Sequence, residues 1–549
     1  MEKIIVWWKE NNRGITLVKA LLLASLPVLC CLVYCAAQGY AIGQVYLPVS
    51  EWNDELFYYK QVEGMIHYGY PQGYFGFNES HALKLSFAAW SPVLVFPWII
   101  WGLIFGWNLM SPVYCNIFLM ALCCFLFVCL VRPTWKQLGI LTLLFCLYTP
   151  FVRYMLSVMP EVICFSMLII FYSLSVNYLR RERAYKLVLL FLLSVVMTLM
   201  RPYLVLFLLL PAFLWIRKSR WKGVAGSFAV LAVAAGMYAW LKHYLGAEYF
   251  APLFFTDWVS AFFEQGLFGG IRFTLGKLYY MGLEFLHHIR LGFSAGWASG
   301  AFFVGYLVCM LVLTAQSLRD GLRIRRWRKA ILTRQKEGQN EGETIAEKEE
   351  KEVKARFIIE VHLALSFLAM LFALLLMYKL TEGSKHLLTF MAVAIFIIAL
   401  METKFYKKAA VLGVTFAYFF FYVAGDPYDY QVPFVREERL ASLEEWEDIF
   451  SERLVLNRED VPNYDNVVIW VFNDTVEGTK VNTQWQLLYA LPEGFGISCC
   501  MPDYVLEHFD TLQSRYLCVV PGGAVEENCV RAGYEKLAER ENAVLYQRY

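Results

Sequence analysis

The sequence is poor in charged residues and lacks the short motifs that identify many soluble enzymes. Asp, Glu, Lys and Arg together make up 17% of its 549 residues. No C-x-x-C pair occurs among its 14 cysteines, which excludes a zinc site of that spacing. The acidic segment at the end of the sequence has no glycine-rich phosphate loop and no recognisable catalytic constellation. The function must therefore be inferred from hydrophobicity and from the positions of the few charges.

Apolar residues make up 59% of the chain and aromatic residues 17%, and the mean hydropathy is +0.47. A soluble protein cannot hide so much apolar surface, so this composition predicts a polytopic membrane protein. A membrane-spanning helix takes about 20 mostly apolar residues. About eleven segments fit that description, namely 15–37, 112–131, 137–152, 159–179, 186–201, 203–216, 223–241, 295–317, 357–378, 386–402 and 408–424.

Charge is distributed unevenly, although the net charge is only +2. Residues 425–549 contain 23 acidic and 10 basic side chains, so this tail is near −13 and the rest of the chain is near +15. The N-terminus is basic and then apolar. We interpret it as an uncleaved signal anchor rather than a cleaved signal peptide, because the apolar run is long and no clean A-x-A site follows it.

The eleven predicted spans place every basic cluster on the cytoplasmic side when the N-terminus is cytoplasmic, as the positive-inside rule requires. These clusters lie at 132–136, 180–186, 217–222, 319–334 and 404–408. The acidic tail then lies on the extracytoplasmic side. The sequence therefore predicts a multi-pass protein of the plasma membrane with a cytoplasmic N-terminus and an extracytoplasmic C-terminal domain.

One apolar segment, "FAAWSPVLVFPWIIWGLIFGW" at 87–107, is not among the predicted spans. A single crossing there would move every later basic loop to the outside. Its two prolines and its four tryptophans fit a segment that lies in the interface or re-enters the membrane. The alternative is that it is a true span and that another span has been missed elsewhere.

The spans leave two large outer loops, at 38–111 and 242–294, and a charged inner linker at 319–356 that is partly helical or disordered. The tail alternates between strand and helix patterns, as in "DNVVIWVFND" and "DYVLEHFDTLQSRYLCVVP". Such alternation predicts a small α/β domain. The chain is thus divided into a transmembrane domain, 1–424, and an extracytoplasmic domain, 425–549.

Most of the cysteines lie in apolar runs, where they act as small hydrophobic residues. Four others lie in the acidic tail, and two of these, Cys518 and Cys529, are separated by a short loop. In an oxidising compartment these two either form a disulfide or remain free thiols, and the sequence leaves both outcomes open.

The polar stretch "EWNDELFYYKQVEGMIHYGYPQG", 51–73, follows the first span directly. Ser50 is suited to cap a helix over 51–67, and a glycine and a proline end it. The apolar side chains on one face of this helix predict that it rests on the membrane surface. They are Leu56, Tyr59, Val62 and Ile66.

Asp54 and Glu55 stand in the first turn of this helix, where the helix dipole favours the ionised form of a carboxyl group. A carboxylate kept anionic at the membrane boundary can act as a general base, bind a metal or accept a hydrogen bond from a sugar hydroxyl. The simpler alternative is a capping pair on a solvated helix. Tyrosines that suit a carbohydrate or a lipid head group lie nearby, at Tyr58, Tyr59, Tyr68, Tyr70 and Tyr74.

The order of these segments resembles the GT-C superfamily of integral-membrane glycosyltransferases, which includes protein O-mannosyltransferases, aminoarabinose transferases and bacterial family-39 enzymes. A basic N-terminus, one span and an outer loop opening with an acidic pair are similar to the start of those enzymes. The resemblance continues through "WSPVLVFPWIIWGLIFG", "YMLSVMPEVICFSMLIIFYSLSVNYLRR", "VVMTLMRPYLVLFLLLPAFLW" and "TEGSKHLLTFMAVAIFIIAL". It covers most of the chain and depends on the order of the motifs, since none is specific alone.

The resemblance implies an α-helical polytopic fold with about eleven transmembrane helices, interfacial helices and a small C-terminal α/β domain. It implies that a sugar is transferred from a polyprenyl-phosphate donor to a hydroxyl of a lipid, glycan or protein acceptor, usually with inversion, at the extracytoplasmic face. It implies no nucleic-acid partner. The need for a divalent metal stays open, and no metal ligand is identified.

By match to the acidic pair, the resemblance makes Asp54 the general base and lets Glu55 assist or replace it. Cations at the outer boundary bind the leaving phosphate, or else they reach toward lipid head groups. Glu161 is a second carboxylate of the site or a favourable charge at a helix start, and His81 with Glu79 contacts a metal or acceptor or lies in a solvated loop. The cations are Arg201, Lys385 and His386, with Arg153 and Arg290 behind them.

Two features depart from the family pattern. Many members carry an arginine where this chain has "VYCN" at 113–116, and a doubled proline where it has the single Pro92. Two other functions remain as alternatives: a transporter or flippase of lipid-linked glycans, and an assembly component whose acidic tail is a docking module. A transporter is expected to carry charges inside its spans and internal repeats, whereas the charges here gather at the boundaries.

Overall fold

The computed structural model describes residues 13–49, 53–69, 75–79, 90–245, 255–295, 297–336, 345–378, 380–400, 432–435, 437–458, 463–540 and 543–549. Helices make up most of the described chain before residue 400, and a six-stranded sheet takes five of its strands from the chain after residue 432. The fold is therefore a helical body joined to a small sheet-containing domain, as the sequence predicts.

The helices of the body have limits that agree with local signals in the sequence. They are α1 Arg13–Ala37, α2 Asn53–Tyr68, α3 Phe96–Phe105, α4 Ser111–Val131, α5 Trp135–Leu147, α6 Pro150–Met155, α7 Glu161–Arg180, α8 Ala184–Met200, α9 Leu209–Lys218, α10 Arg220–Leu245, α11 Asp257–Glu264, α12 Gly266–Ala295, α13 Trp297–Lys336, α14 Ile345–Met377 and α15 Leu380–Leu400. For example, α4 ends where Arg132 adopts a left-handed conformation, and Thr134 caps α5 through the amide of Gln137. A sharp turn results, and it brings α5 beside α1.

Helices long and apolar enough to cross a membrane confirm the multi-pass character. Within the described residues they are Gly14–Ala37, Ser111–Val131, Glu161–Arg180, Arg220–Leu245, Phe303–Trp327 and Val353–Met377. These six overlap predicted spans. The predicted total of about eleven is not confirmed, because the other described apolar helices are shorter and the predicted span 408–424 lies outside the described residues.

The predicted span 203–216 is interrupted. It consists of a 3-10 turn, Pro202–Leu208, followed by α9, which has only ten residues. Pro211 lacks the N–H that a continuous α-helix would donate to the carbonyl of Phe207. That carbonyl instead accepts a hydrogen bond of 3.3 Å from the Ser194 hydroxyl on α8. The segment is therefore a 3-10 turn followed by a short α-helix, and it is not confirmed as one span.

Residues 87–107 contain a 3-10 turn, Pro92–Val95, and the ten-residue α3. A helix of that length is about 15 Å long, half the thickness of the hydrocarbon core. This length fits an interfacial or re-entrant segment better than a single crossing. Two of the four tryptophans do not face lipid as expected: Trp90 and Trp98 are buried in the protein, and Trp98 Nε1 donates to Asn116 at 2.8 Å.

The two long segments predicted as loops contain helices. α11 and α12 occupy most of the predicted outer loop 242–294, and α12 packs on α13. The inner linker 319–356 is helical at both ends, because α13 continues to Lys336 and α14 begins at Ile345. Of the two alternatives for this linker, the described residues adopt the helical one.

The C-terminal domain alternates strand and helix, which confirms the small α/β domain. Its strands are β2 Val467–Val471, β3 Asn473–Val476, β4 Thr479–Asn482, β5 Gly496–Cys500, β6 Tyr516–Val519, β7 Glu535–Arg540 and β8 Ala543–Gln547, and its helices are α16 Glu437–Arg453, α17 Pro502–His508 and α18 Ala524–Arg531. β2 lies between β5 and β6 and pairs in parallel with both. β8 pairs antiparallel with β6 and β7, so that β7 is the edge of the sheet on that side. β3 and β4 form a separate antiparallel hairpin.

The first outer loop contributes a strand to the same sheet. β1, Phe75–Phe77, pairs in parallel with β5, so that Phe75 is opposite Ile497 and Phe77 is opposite Cys499. The sheet order is accordingly β1-β5-β2-β6-β8-β7. This pairing requires the first loop and the tail to lie on the same side of the membrane, and it makes them one folding unit.

Helix α2 exists close to its predicted limits, but it does not rest on the membrane surface. It packs on α3 and on a 3-10 turn of the C-terminal domain, Trp485–Ala490. Lys60 donates to the carbonyl of Leu491 at 2.7 Å, and Gln61 is also buried. The sequence showed one apolar face and could not show that the tail would cover the opposite, polar face.

Glu79 lies just after β1 and fastens the segment that contains this strand to the C-terminal domain. Its carboxylate accepts hydrogen bonds from the amides of Ser514, at 2.6 Å, and Gln513, at 3.1 Å, and from the Ser514 hydroxyl. The side chain is 8% exposed. The solvated loop expected at this position is therefore wrong for Glu79, because the positive φ angles of Asn78 and Glu79 turn the chain back onto the sheet.

We expect Glu79→Gln to destabilise this junction by about 1.5–3 kcal/mol, because hydrogen bonds to a charged group contribute that much. In limited proteolysis of the purified full-length proteins, the C-terminal domain of the variant should be cut faster than that of the parent. Its cleavage should also begin at a lower temperature. Glu507→Gln, which changes an exposed carboxylate on α17, is the matched control and should behave like the parent. Equal cleavage rates in all three proteins would contradict the assigned role.

The cysteines of the tail are free thiols in the structure, so of the two outcomes left open by the sequence the disulfide is absent. Cys518 belongs to β6 and faces the large core that continues into the helical body. Cys529 belongs to α18 and lies in the separate core on the other face of the sheet. The sheet itself therefore keeps the two sulfur atoms apart.

Candidate functional site

A buried ion pair lies where α7 begins and α8 ends. Glu161 is the first residue of α7, after Pro160, and Arg201 immediately follows α8. Arg201 Nη2 donates to Glu161 Oε1 at 2.8 Å, and both side chains are 0% exposed. Burying two charges costs several kcal/mol for each ion, so the cluster needs further polar partners to be stable.

Those partners are His386 and Tyr203. Arg201 Nη1 lies 3.1 Å from His386 Nδ1 and 3.2 Å from the Tyr203 hydroxyl, which itself lies 3.3 Å from His386 Nδ1. A guanidinium only donates, so Nδ1 of His386 is the acceptor and the ring proton is on Nε2. Trp90 covers the cluster, with its ring centre 5.2 Å from the Arg201 guanidinium carbon.

Two polar atoms of the pair have no hydrogen-bond partner among the described residues, although both are buried. They are Oε2 of Glu161 and Nε of Arg201. Buried polar atoms in folded proteins are nearly always hydrogen-bonded, and exceptions often mark a place where water or a ligand binds. The ion pair therefore retains one acceptor and one donor for a further polar group.

Asp54 approaches this cluster from α2. It stands in the first turn of the helix and is partly exposed, whereas Tyr58, one turn later, is buried. Burial raises the pKa of Tyr58 well above its usual value, the Asp54 carboxylate raises it further, and the Arg201 guanidinium opposes this rise. The Tyr58 hydroxyl is thus a neutral donor within electrostatic reach of both Asp54 and the ion pair.

Glu55 points in another direction from Asp54, since neighbouring residues on a helix differ by about 100°. It is fully buried, accepts a hydrogen bond of 3.2 Å from the amide of Val158, and lies 4.0 Å from Nη1 of Arg153. Arg153 is itself 3% exposed. Glu55 and Arg153 are therefore a buried pair. Through the bond from Val158, Glu55 joins α2 to the turn between α6 and α7.

Asn116 on α4 holds that turn in place. Its side-chain amide donates to the carbonyls of Ser157, at 2.8 Å, and Tyr154, at 3.3 Å, while its oxygen accepts from Trp98. The fixed turn presents the Val158 amide to α2. Residues 113–116, where many GT-C enzymes carry an arginine, here supply a structural asparagine.

The remaining predicted site residues are not all brought together. Tyr59 stacks on Trp107 and packs at a tilt against Tyr489, with ring centres 5.2 and 5.5 Å away, and belongs to the junction with the C-terminal domain. Lys385 lies on α15 directly before His386, but its side chain and the whole of His81 are outside the described residues. Arg290 is on α12 and exposed.

No group of three or more His, Cys, Asp or Glu suited to hold a metal ion occurs in the described part of the chain. The sequence did not single out Tyr203 or assign Trp90 to the cluster. Tyr203 had a weak signal, since it follows Arg201 after one proline. Trp90 had none, because its contact with Arg201 arises from packing between segments about 110 residues apart.

Comparisons with known proteins add nothing to this geometry: no family model, no curated protein and no solved structure matches the chain.

Proposed function

We propose that the chain is a membrane glycosyltransferase that transfers a sugar from a polyprenyl-phosphate donor to an acceptor hydroxyl at the extracytoplasmic face of the plasma membrane. The proposal places the N-terminus in the cytoplasm and the α/β domain outside. The observation that carries it is that the buried Tyr58 hydroxyl interacts electrostatically with the Asp54 carboxylate and with the Arg201–Glu161 pair. A carboxylate and a cation therefore act on the same hydroxyl.

In this proposal Asp54 is the general base. It is the partly exposed member of the acidic pair, whereas Glu55 is committed to Val158 and Arg153. A base must be ionised and within reach of the acceptor hydroxyl. The acceptor oxygen attacks the anomeric carbon, its proton passes to Asp54, and the bond from that carbon to the phosphate oxygen breaks with its electrons on the polyprenyl phosphate.

The leaving phosphate gains negative charge and needs donors that are already oriented. Arg201 supplies a guanidinium held by Glu161, and His386 supplies an Nε2–H because its Nδ1 is turned toward Arg201. Tyr58 contributes a neutral hydroxyl. Glu161 is in this view the partner that fixes Arg201 rather than a second base.

The proposal is tested with purified full-length protein in liposomes and a panel of radiolabelled undecaprenyl-phosphate hexoses and pentoses. Label should pass to a glycan or lipid acceptor from a cell-envelope extract, and undecaprenyl phosphate should be released in equal amount. Boiled protein is the control. Absence of transfer from every donor in the panel, with folded protein present, would contradict the proposal.

A second candidate, movement of a lipid-linked glycan across the membrane, is favoured by one observation. His362 in the middle of α14 bonds the Tyr172 hydroxyl at 2.9 Å, beside an apolar groove of about 490 Å³ lined by Leu206, Phe213 and Leu365. An ionisable side chain inside a span is often functional. In the same liposomes, a lipid that crosses the bilayer with its sugar–phosphate bond intact would favour this candidate.

A further inference from the structure

A polar pocket lies at the opposite end of the helical body from the Arg201–Glu161 pair. It has a volume of about 280 Å³ and is bounded by the α4–α5 turn, by the C-terminal ends of α7 and α15, and by residues 355–360 within α14. Its polar lining includes Arg132, Arg180, Arg356, Gln137 and Glu360. Three arginines thus surround one cavity in a chain that has few charged residues.

The separation of the two sites corresponds to the thickness of a membrane. Glu161 and Arg180 are the first and last residues of α7, so 19 residues at 1.5 Å each put them about 28 Å apart along the helix axis. The hydrocarbon core of a bilayer is about 30 Å thick. The pocket therefore lies at the other membrane boundary, where the positive-inside pattern places the cytoplasm.

The pocket is positively charged and rigid at its base. Its lining contains three arginines and one carboxylate, that of Glu360, which is 1% exposed. Arg180 donates to the carbonyl of Val131, the last residue of α4, and Gln137 donates to the carbonyl of Leu400 at 2.8 Å. These bonds join α7 to the end of α4 and α5 to the end of α15, and they hold the walls of the cavity in place.

Apolar side chains complete the lining and suggest what binds. Val176, Ile359 and Ile397 form one wall, at the level where the spans end. A ligand that suits this pocket has an anionic group for the arginines and an apolar part for that wall. Arginine forms paired hydrogen bonds with phosphate oxygens, which lysine does not.

We propose that this pocket binds the phosphate of an anionic phospholipid of the cytoplasmic leaflet, with the acyl chains beside the apolar wall. The site does not depend on the proposed glycosyltransferase activity, because none of its residues belongs to that site. Free inorganic phosphate shares the anionic chemistry but has no group for the apolar wall. The membrane lipid is therefore the occupant that accounts for both halves of the lining.

The test uses full-length protein exchanged into detergent with phosphatidylglycerol or phosphatidylcholine, and counts retained lipids by native mass spectrometry. The parent should retain phosphatidylglycerol in preference to phosphatidylcholine. The double variant Arg132→Gln/Arg356→Gln should bind phosphatidylglycerol at least about tenfold more weakly, since losing a charge-assisted hydrogen bond weakens binding by about that factor. Arg132→Gln alone, at an exposed position, should show a smaller loss in the same direction.

The matched control is Lys136→Gln, which removes an exposed cation from the same region without touching the pocket lining. It should bind phosphatidylglycerol like the parent. Equal losses in the control and the double variant would overturn the proposal, since they would show only a general attraction of basic residues to anionic lipid. Displacement of phosphatidylglycerol by an equal concentration of inorganic phosphate would assign the pocket to a soluble anion and likewise overturn the lipid assignment.

Discussion

Asp54→Asn should lower the rate of sugar transfer by about 10²- to 10⁴-fold, the usual contribution of a general base. The substituted amide would keep the size and a hydrogen-bonding oxygen of the side chain but could not accept the proton of the acceptor hydroxyl. The loss should appear in kcat more than in KM, because proton transfer occurs only in the transition state. The measurement is steady-state transfer of label from the polyprenyl-phosphate donor.

The matched control for this prediction is Glu63→Gln on the same helix. Glu63 is paired with Lys60 at 2.9 Å and does not belong to the site, so its variant should keep most of the activity. Asp54→Glu should recover part of the rate by restoring a carboxylate. If Asp54→Asn transfers sugar at the parental rate, Asp54 is not the base, and the assignment of the acidic pair by resemblance is wrong.

Glu161→Gln should destabilise the protein by about 3–5 kcal/mol, because it leaves Arg201 as an uncompensated buried charge. Both side chains are 0% exposed, and Trp90, Tyr203 and His386 cannot supply a negative charge. When the purified variant is heated, tryptophan fluorescence should show unfolding at a lower temperature than in the parent. Activity measured below that transition should also fall, since Arg201 would no longer be held in place.

The double variant Glu161→Gln/Arg201→Gln distinguishes a charge effect from a packing effect. Removing both charges also removes their desolvation cost, so the double variant should be more stable than Glu161→Gln alone. It should nevertheless be inactive in transfer, because the proposed phosphate contact is lost. A double variant that is less stable than either single variant would show that the ion pair does not dominate the stability of this region.

The helical body was predictable wherever hydrophobicity decided the outcome. The runs at 112–131 and 159–179 correspond to α4 and α7, because about 20 apolar residues without proline in the interior form one continuous helix. The prediction at 203–216 is not confirmed, because the segment forms a 3-10 turn followed by the ten-residue α9, and hydrophobicity does not distinguish this from one continuous α-helix. Helix count was therefore less reliable than helix position.

The candidate site was only half predictable. The sequence identified Arg201, His386 and Glu161 as charges at helix ends, which is a local property. It could not show that Glu161 neutralises Arg201, because the two lie 40 residues apart on different helices and meet only after those helices pack. For the same reason the sequence could not show that Glu55 has a different role from Asp54, because Glu55 contacts the amide of Val158, which is 103 residues away in the chain.

The pairing of β1 with β5 has a consequence for the synthesis of the chain. Phe75 meets Ile497, which is 422 residues later in the sequence. At about 5–20 residues per second, the ribosome takes about 20 to 85 s to supply that partner. In the proposed topology the first loop is exported before the strand edge to which it attaches has been made, so we expect a nascent chain halted before β5 to be a preferred target for envelope chaperones and proteases.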